Sequence, residues 1–251
     1  EGQTVWKINA GQSLTGGVGA DANLVVVGTA KGEVLAFASS DGRPLWKARA
    51  SSEIVAPPAL ALGMVIVRSG DHRLTAYDAF EGKRKWVYKR PTPPLSVRTS
   101  AAPLVVDNFV FAGFPGGKLI AVSVDNGAPL WEGTVALPKG ATELDRVADI
   151  TSVPVIDGRT VCAAAYQGRV ACFDLGSGSL IWARDISSAA GLTIDGRYVF
   201  VSDDKGTVHA LDKSSGASLW KQDKLFLRRL SAPVSGPRWL AVADLQGMVH
   251  F

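Results

Sequence analysis

Apolar and polar residues alternate in short runs along this chain, and residues 54–86 show the pattern most clearly. Residues 64–67 form an apolar, mostly β-branched run of strand length, and residues 74–77 alternate as a second strand. Trp86 lies on a third strand, and residues 54–60 are expected to form the strand that precedes this pair. Turn residues separate the runs, and no helical periodicity is present. The pattern therefore predicts four short antiparallel strands joined by tight turns.

A pairing of glycine with tryptophan repeats this unit along the chain. Six tryptophans each follow a glycine by four residues, at intervals of 38 to 51 residues. The pairs are Gly2/Trp6, Gly42/Trp46, Gly82/Trp86, Gly127/Trp131, Gly178/Trp182 and Gly216/Trp220. A repeated four-stranded unit of roughly 40 residues is typical of a β-propeller blade. We therefore predict an all-β β-propeller of four-stranded antiparallel blades, in which each tryptophan lies on the outermost strand and covers the seam to the next blade.

The repeat accounts for about six blades' worth of chain, which we assign to a single β-propeller domain, residues 1–251, truncated at both ends. Residues 1–10 are expected to hold only the last strand of a blade. Residues 230–251 supply three strands and no closing tryptophan. The two ends either complete a sixth blade together, or the chain is a piece of a larger ring.

Two neighbouring connections between blades are unusually long. The connection from Trp86 to Pro103 spans 17 positions and that from Trp131 to Pro154 spans 23, whereas the other four span 10 to 13. Such connections emerge on one face of a propeller, so we expect the two long ones to lie side by side. Because loops on a rigid scaffold are where binding residues concentrate, this face is the predicted binding face.

The candidate partner-binding residues are Leu95, Val97 and Arg98 of the first long connection, and Glu143, Asp145, Arg146 and Asp149 of the second. An apolar pair beside an arginine, with carboxylates from an adjacent loop, is typical of a protein-binding hot spot. The other interpretation is that Arg98 and Asp149 pair with each other while Leu95 and Val97 pack inward. Both can hold at once, because a paired arginine can still present apolar neighbours.

Composition and charge argue against several function classes. No apolar run approaches the roughly 18–20 residues that span a bilayer. The net charge of +4 is spread over small basic clusters, with neither the exposed aromatic residues nor the recognition helix expected of a nucleic-acid surface, so no nucleic-acid partner is expected. The three histidines, His72, His209 and His250, show no catalytic or metal-ligand spacing. We therefore predict no catalytic residue, no metal and no cofactor.

The two cysteines lie on strands that flank a turn at residues 167–168. A two-residue turn there places Cys162 opposite Phe173 rather than opposite Cys172. Neighbouring positions on a strand point to opposite faces of the sheet. We therefore expect two small buried thiols rather than a disulfide.

Two repeat units show a pattern known from other proteins. Residues 76–86 (AYDAFEGKRKW) and 210–220 (ALDKSSGASLW) share the pattern Ala-x-Asp-x-x-x-Gly-x-x-x-Trp. This resembles the tryptophan-docking repeat of quinoprotein-type propellers. Two families carry that repeat: dehydrogenases that hold pyrroloquinoline quinone, and the BamB family of outer-membrane assembly lipoproteins, which holds no cofactor. Residues 142–155 (TELDRVADITSVPV) and 95–98 (LSVR) are similar to the two recognition loops of the BamB family.

The resemblance implies a non-catalytic scaffold lipoprotein of the β-barrel assembly machinery, which binds the periplasmic domains of BamA and assists outer-membrane protein insertion. Leu95, Val97, Arg98 and Asp149 match positions that the family uses for this contact. Thr151 stands where the family can carry a second acidic residue. A second candidate partner is the unfolded outer-membrane protein client, added as a strand to an exposed blade edge.

The family's setting is the periplasmic face of the outer membrane, where an N-terminal cysteine carries a lipid anchor. This chain has no such cysteine and the family ring has eight blades, so we expect an N-terminal segment and about two blades' worth of strands to be missing. The alternative function is a PQQ-type quinoprotein dehydrogenase. It would need a quinone, usually a calcium ion and a disulfide between adjacent cysteines, whereas Cys162 and Cys172 are ten positions apart.

Overall fold

The computed structural model describes residues 2–251, and that range contains β-strands and no helix, as predicted for an all-β fold. It follows that no helix among these residues has the length and apolar character to cross a membrane. The described chain divides into two compact units. The first comprises residues up to 91 with 98–112 and 121–130, and the second comprises 92–97, 113–120 and 131–251. The assignment of residues 1–251 to one domain stays a prediction.

The first unit contains two complete four-stranded antiparallel sheets. The first sheet has the order β1 (Leu14–Ala20), β2 (Leu24–Thr29), β3 (Glu33–Ala38), β4 (Pro44–Arg49), and the second β5 (Ala59–Ala61), β6 (Met64–Arg68), β7 (Leu74–Asp78), β8 (Arg84–Tyr88). The strands predicted at 64–67, at 74–77 and around Trp86 are confirmed. The strand predicted at 54–60 begins only at Ala59, because Pro57 and Pro58 have no N–H to donate to a ladder. The N–H of Ile54 donates instead to the carbonyl of Thr29 at 3.0 Å.

The remaining sheets follow the same strand order. The third sheet, whose residues fall into both units, is β9 (Leu104–Val106), β10 (Phe109–Phe114), β11 (Lys118–Ser123), β12 (Pro129–Thr134). In the second unit, the fourth sheet is β13 (Val155–Asp157), β14 (Thr160–Ala164), β15 (Val170–Asp174), β16 (Leu180–Arg184), and the fifth is β17 (Gly191–Asp195), β18 (Tyr198–Ser202), β19 (Val208–Asp212), β20 (Ser218–Gln222). The sixth sheet has three strands, β21 (Val234–Gly236), β22 (Trp239–Ala243), β23 (Val249–His250), as predicted for the last segment.

The core lies between neighbouring sheets, where side chains from the middle strands interlock. In the first unit, Val26 and Val34 of the first sheet pack with Val65 and Tyr77 of the second, and all four are buried. In the second unit, the fourth and fifth sheets pack in the same way around buried aliphatic residues. Because both faces of a middle strand are covered, its sequence reads as a nearly continuous apolar run.

Each tryptophan of the repeat up to Trp182 docks on the glycine of the following sheet. The indole Nε1–H donors and their backbone carbonyl acceptors are Trp6 to Ser39 (2.7 Å), Trp46 to Ala79 (2.8 Å) and Trp86 to Val124 (2.6 Å) in the first unit, and Trp131 to Leu175 (2.9 Å) and Trp182 to Lys213 (2.7 Å) in the second. A Cβ on the docked glycine would lie 2.5 to 2.7 Å from the indole ring in every case. The predicted seam-covering role is therefore confirmed for these residues. Trp220, the last tryptophan of the repeat, is 44% exposed and is not included in this confirmation.

The prediction that residues 1–10 hold the last strand of a blade is wrong for the part that the structure describes. Residues 2–10 form no strand. Trp6 nevertheless makes the docking hydrogen bond, which shows that the docking contact does not require a paired strand beneath it.

The expectation of two free thiols is also wrong, because Cys162 lies directly opposite Cys172 and the two sulfurs form a disulfide. The hairpin loop has three residues rather than two. The N–H of Ala165 donates to the carbonyl of Arg169 at 2.9 Å, and Gln167 adopts a left-handed φ of 49°. One additional loop residue shifts the register by one position, which brings both cysteines to the same face of the sheet, where both are fully buried.

Candidate partner-binding site

Asp149 ties the two long connections together within the second unit. Its Oδ2 accepts a hydrogen bond from the N–H of Val97 at 2.6 Å, and its Oδ1 accepts one from the N–H of Gly116 at 2.9 Å. Its own carbonyl accepts from the N–H of Tyr166 at 2.8 Å. One residue of the second connection thus holds the first connection and the β10–β11 and β14–β15 turns.

The carboxylate of Asp149 is a buried group, since the residue is 2% exposed. A buried carboxylate is costly to desolvate unless hydrogen bonds compensate it, and here two backbone donors do so. Asp149 was predicted as a contact residue, and that contact stays a prediction. In the structure the side chain lies beneath the surface and orients the backbone of residues around it.

The part of the first connection in the second unit, residues 92–97, is a proline-stiffened segment that presents one leucine. Leu95 is exposed and Val97 is half-buried. Pro93 lies near the β10–β11 turn, where a Cβ on Gly116 would meet its ring at 3.7 Å. The interpretation that this apolar pair packs inward therefore applies in part to Val97 and not to Leu95.

The tip of the second connection, residues 140–146, is organised by its own charged side chains. Thr142 and Asp145 form a reciprocal capping pair: each backbone N–H donates to the other's side chain at 3.1 Å. The hydrogen bonds from Thr142 lower the pKa of the Asp145 carboxyl. Arg146 donates from Nε to the carbonyl of Gly140 at 3.1 Å and lies 3.5 Å from Oε1 of Glu143. The three predicted charged residues of this loop are thus brought together at its tip.

Two exposed leucines of the second connection were not predicted. Leu144 is 71% exposed between Glu143 and Asp145, and Leu137 is 60% exposed at the start of the connection. Val147 and Ile150, in contrast, are buried and anchor the loop. The signal that could have identified Leu144 is its place in a charged run, since a leucine between engaged polar neighbours has no core to enter.

Arg98 belongs to the first unit and pairs with an acidic residue there. Its Nη2 lies 3.4 Å from Oε1 of Glu53, and its side chain is 70% exposed. Hydrogen bonding from Ser52 and the backbone, with a smaller effect of Arg98, lowers the pKa of Glu53. The guanidinium is therefore held by one carboxylate while most of its surface remains open to solvent.

Two of the histidines contact the aspartate of the turn that precedes their own strand. His209 Nε2 lies 2.9 Å from Oδ2 of Asp203, and His250 Nε2 lies 3.0 Å from Oδ2 of Asp244. Each aspartate also accepts backbone N–H groups of its own turn. Within residues 2–251, no group of three or more His, Cys, Asp or Glu side chains is arranged to hold a metal ion.

Comparison with known proteins places this geometry in a family. Residues 1–222 match the family model described as outer membrane protein assembly factor BamB. The chain is 43% identical over its full length to the BamB of Bordetella pertussis, and 49% identical over 99% of its length to the BamB of Nitrosomonas eutropha. It covers 65% and 61% of those two proteins, so it spans less than two thirds of their length.

A solved structure confirms the fold class. The crystal structure of BamB from Moraxella catarrhalis superposes with a TM-score of 0.91 at 31% identity, over 98% of this chain and 78% of that one. The β-propeller of four-stranded blades with docked tryptophans is therefore confirmed as the fold class. The chain belongs to the BamB family of outer membrane protein assembly factors.

Proposed function

We propose that this chain is the propeller part of a non-catalytic scaffold subunit of the β-barrel assembly machinery, and that it binds the periplasmic domains of BamA. Its relatives in Bordetella pertussis and Nitrosomonas eutropha are named as outer membrane protein assembly factors, and this supports the general role. The single observation that carries the finer proposal is the buried Asp149 carboxylate, which holds both long connections in one arrangement.

Preorganisation is the physical reason that this arrangement favours binding. A loop that is already ordered loses little conformational entropy when a partner docks, so more of the interaction energy appears as affinity. The second unit presents Leu95 from one loop and Leu144 from the other, and charged residues surround Leu144. An apolar centre with a charged rim is the usual composition of a protein-binding hot spot.

The charged residues supply orientation more than affinity in this proposal. Glu143 and Arg146 are both more than half exposed, and such rim charges affect the rate and the register of association more than its free energy. Arg98, whose guanidinium is mostly open, is the predicted contact of the first unit. A bidentate contact to a partner carboxylate is the chemistry that an arginine in this setting provides.

The proposed location is the periplasmic face of the outer membrane, with a lipid anchor that the family resemblance implies. The buried disulfide between Cys162 and Cys172 supports an oxidising compartment, since structural disulfides form and persist there.

Unfolded outer-membrane proteins are included as a second class of partner, because the outer strands β8 and β16 lie at the edges of their sheets and can accept a strand.

The experiment is a binding titration with the purified periplasmic domains of BamA. Leu144→Asp places a charge at the proposed apolar centre without altering the core, and we expect affinity to fall at least about tenfold. Leu62→Asp is the matched control, because Leu62 is 66% exposed in the β5–β6 turn. Equal affinity of the Leu144→Asp protein and the unsubstituted protein would contradict the proposed site.

A further inference from the structure

A groove between the first and second sheets, in the first unit, is lined by three arginines. Arg49, Arg73 and Arg84 border a hollow of about 260 Å³. Its floor includes Thr75 and Tyr77, whose hydroxyl donates to the backbone carbonyl of Arg49 at 2.9 Å. Burial raises the pKa of Tyr77 to about 12, so the phenol remains a neutral donor at physiological pH.

The repeat shows why this positive charge is unusual. The residue at the entry to the third strand is charged in each of the first four sheets, and in three of them it pairs across to the outer strand or its end. Those pairs are Glu33 with Lys47 (2.6 Å), Lys118 with Glu132 (2.9 Å) and Arg169 with Asp185 (3.2 Å). These ion pairs recur at equivalent places in three sheets, so we assign them a structural role.

The second sheet departs from that rule. Its entry residue is Arg73, and the outer strand offers Val87 and then Lys89 in the places where the other sheets carry the opposite charge. Arg73 pairs instead with Asp71 of its own turn, Nε to Oδ2 at 3.1 Å. Asp71 also accepts the hydroxyl of Ser51, another residue of the groove wall, at 3.1 Å. Asp71 thus contacts one of the three arginines, and the residues that line the hollow include three guanidinium groups and no carboxylate, so the lining is net positive.

We propose that this groove binds a phosphate group, carried either by a free phosphate or by a phospholipid headgroup. Guanidinium groups present planar pairs of donors that match phosphate oxygens bidentately, and two of them can engage one phosphate from different sides. Ser51 and Thr75 also line the hollow, but their hydroxyls are engaged by Asp71 and Tyr77, so the guanidinium groups are the donors offered to the phosphate. A carboxylate offers fewer acceptor oxygens and cannot satisfy donors on three sides of the hollow.

Isothermal titration calorimetry with inorganic phosphate, and separately with acetate, tests the chemistry. We expect phosphate to bind and acetate to bind more weakly. The double variant Arg49→Gln with Arg84→Gln removes two guanidinium groups while leaving the Arg49 carbonyl in place, and should weaken phosphate binding at least about tenfold. Arg43→Gln is the matched control, since Arg43 is an exposed arginine before β4 that does not line the groove.

Vesicle sedimentation distinguishes the two sources of phosphate. Binding to phosphatidylcholine vesicles that contain phosphatidylglycerol, lost in the double variant, identifies the lipid headgroup. Phosphate binding by calorimetry without vesicle binding identifies the free anion. The proposal is overturned by absence of phosphate binding, by equal binding of acetate, or by an equal loss in the Arg43→Gln control. Thermal unfolding of each variant shows that the changes in binding do not come from unfolding.

Discussion

The backbone N–H of Val97 donates a 2.6 Å hydrogen bond to the buried carboxylate of Asp149, 52 residues further along the chain. This contact joins the two longest connections of the repeat, which length alone had marked as unusual. The same carboxylate accepts from the N–H of Gly116, so each of its oxygens holds one backbone donor. Asp149 was expected to contact a partner. In the structure its buried side chain holds the two long connections together.

Asp149→Asn should loosen both connections. An amide offers one acceptor oxygen and one NH₂ donor, so one of the two backbone N–H groups loses its acceptor. A buried hydrogen bond to a charged group contributes about 1.5–3 kcal/mol, and we expect the free energy of unfolding to fall by about that amount. Urea unfolding measures the loss, and amide exchange should accelerate at Val97 and Gly116.

Asp185→Asn is the control for this substitution. Asp185 pairs with Arg169 at 3.2 Å, but its side chain is 91% exposed, and exposed pairs contribute about 0–1 kcal/mol. If Asp149→Asn lowers the free energy of unfolding no more than Asp185→Asn does, Asp149 does not hold the two connections together.

Arg98→Glu should abolish capture of the periplasmic domains of BamA while the fold stays intact. The substitution removes the guanidinium offered to the partner and sets a second carboxylate near Glu53 on a mostly exposed side chain. Exposed charge repulsion alters stability little, so the melting temperature should remain close to that of the unsubstituted protein. A pull-down alongside a thermal scan checks both parts, and capture at the original level would remove Arg98 from the site.

The disulfide predicts that the purified protein has no reactive thiols. A thiol assay in denaturant without reductant should detect none, and two should appear after reduction. Replacing both Cys162 and Cys172 by alanine opens a short loop and should cost about 3 kcal/mol of stability. Two thiols in the unreduced, denatured protein would show that the cysteines are free.

Acid should weaken the fold through the aspartates of the repeated turns. Hydrogen bonds from the Ser177 backbone and hydroxyl, with Arg159, lower the pKa of Asp174 to about 2 from 3.8. Because the folded pKa lies below the unfolded one, this contribution to stability is complete above about pH 4 and is lost as the pH falls toward 2. Asp174→Asn should therefore reduce the slope of melting temperature against pH in that window. An unchanged slope would contradict this assignment.

The fold could be predicted from the sequence because its repeat is local. Each glycine and tryptophan pair encodes both a turn and the docking contact, so one unit is enough to infer the others. The wrong prediction about the cysteines arose because the backbone geometry of a loop determines which residues face each other. A three-residue loop at 166–168 and a two-residue loop have similar sequence signals, but they place Cys172 on different faces of the sheet.

The candidate site could be predicted only in outline. Loop length indicated where to look, and the charged residues of the second loop do lie together at its tip. The sequence could not tell that Asp149 is buried, because its hydrogen-bond donors are backbone groups of Val97 and Gly116, which have no side-chain signature. Leu144 differs from the buried Val147 and Ile150 nearby in standing between two charged residues, a signal that the sequence analysis did not use.

The most direct test of the central claim is the hydrogen–deuterium exchange footprint of BamA's periplasmic domains on this protein. The account predicts that binding protects amides in residues 95–98 and 140–146 together, and leaves the turn at residues 79–83 unchanged. Protection confined to other segments, with both long connections exchanging as in the free protein, would contradict it.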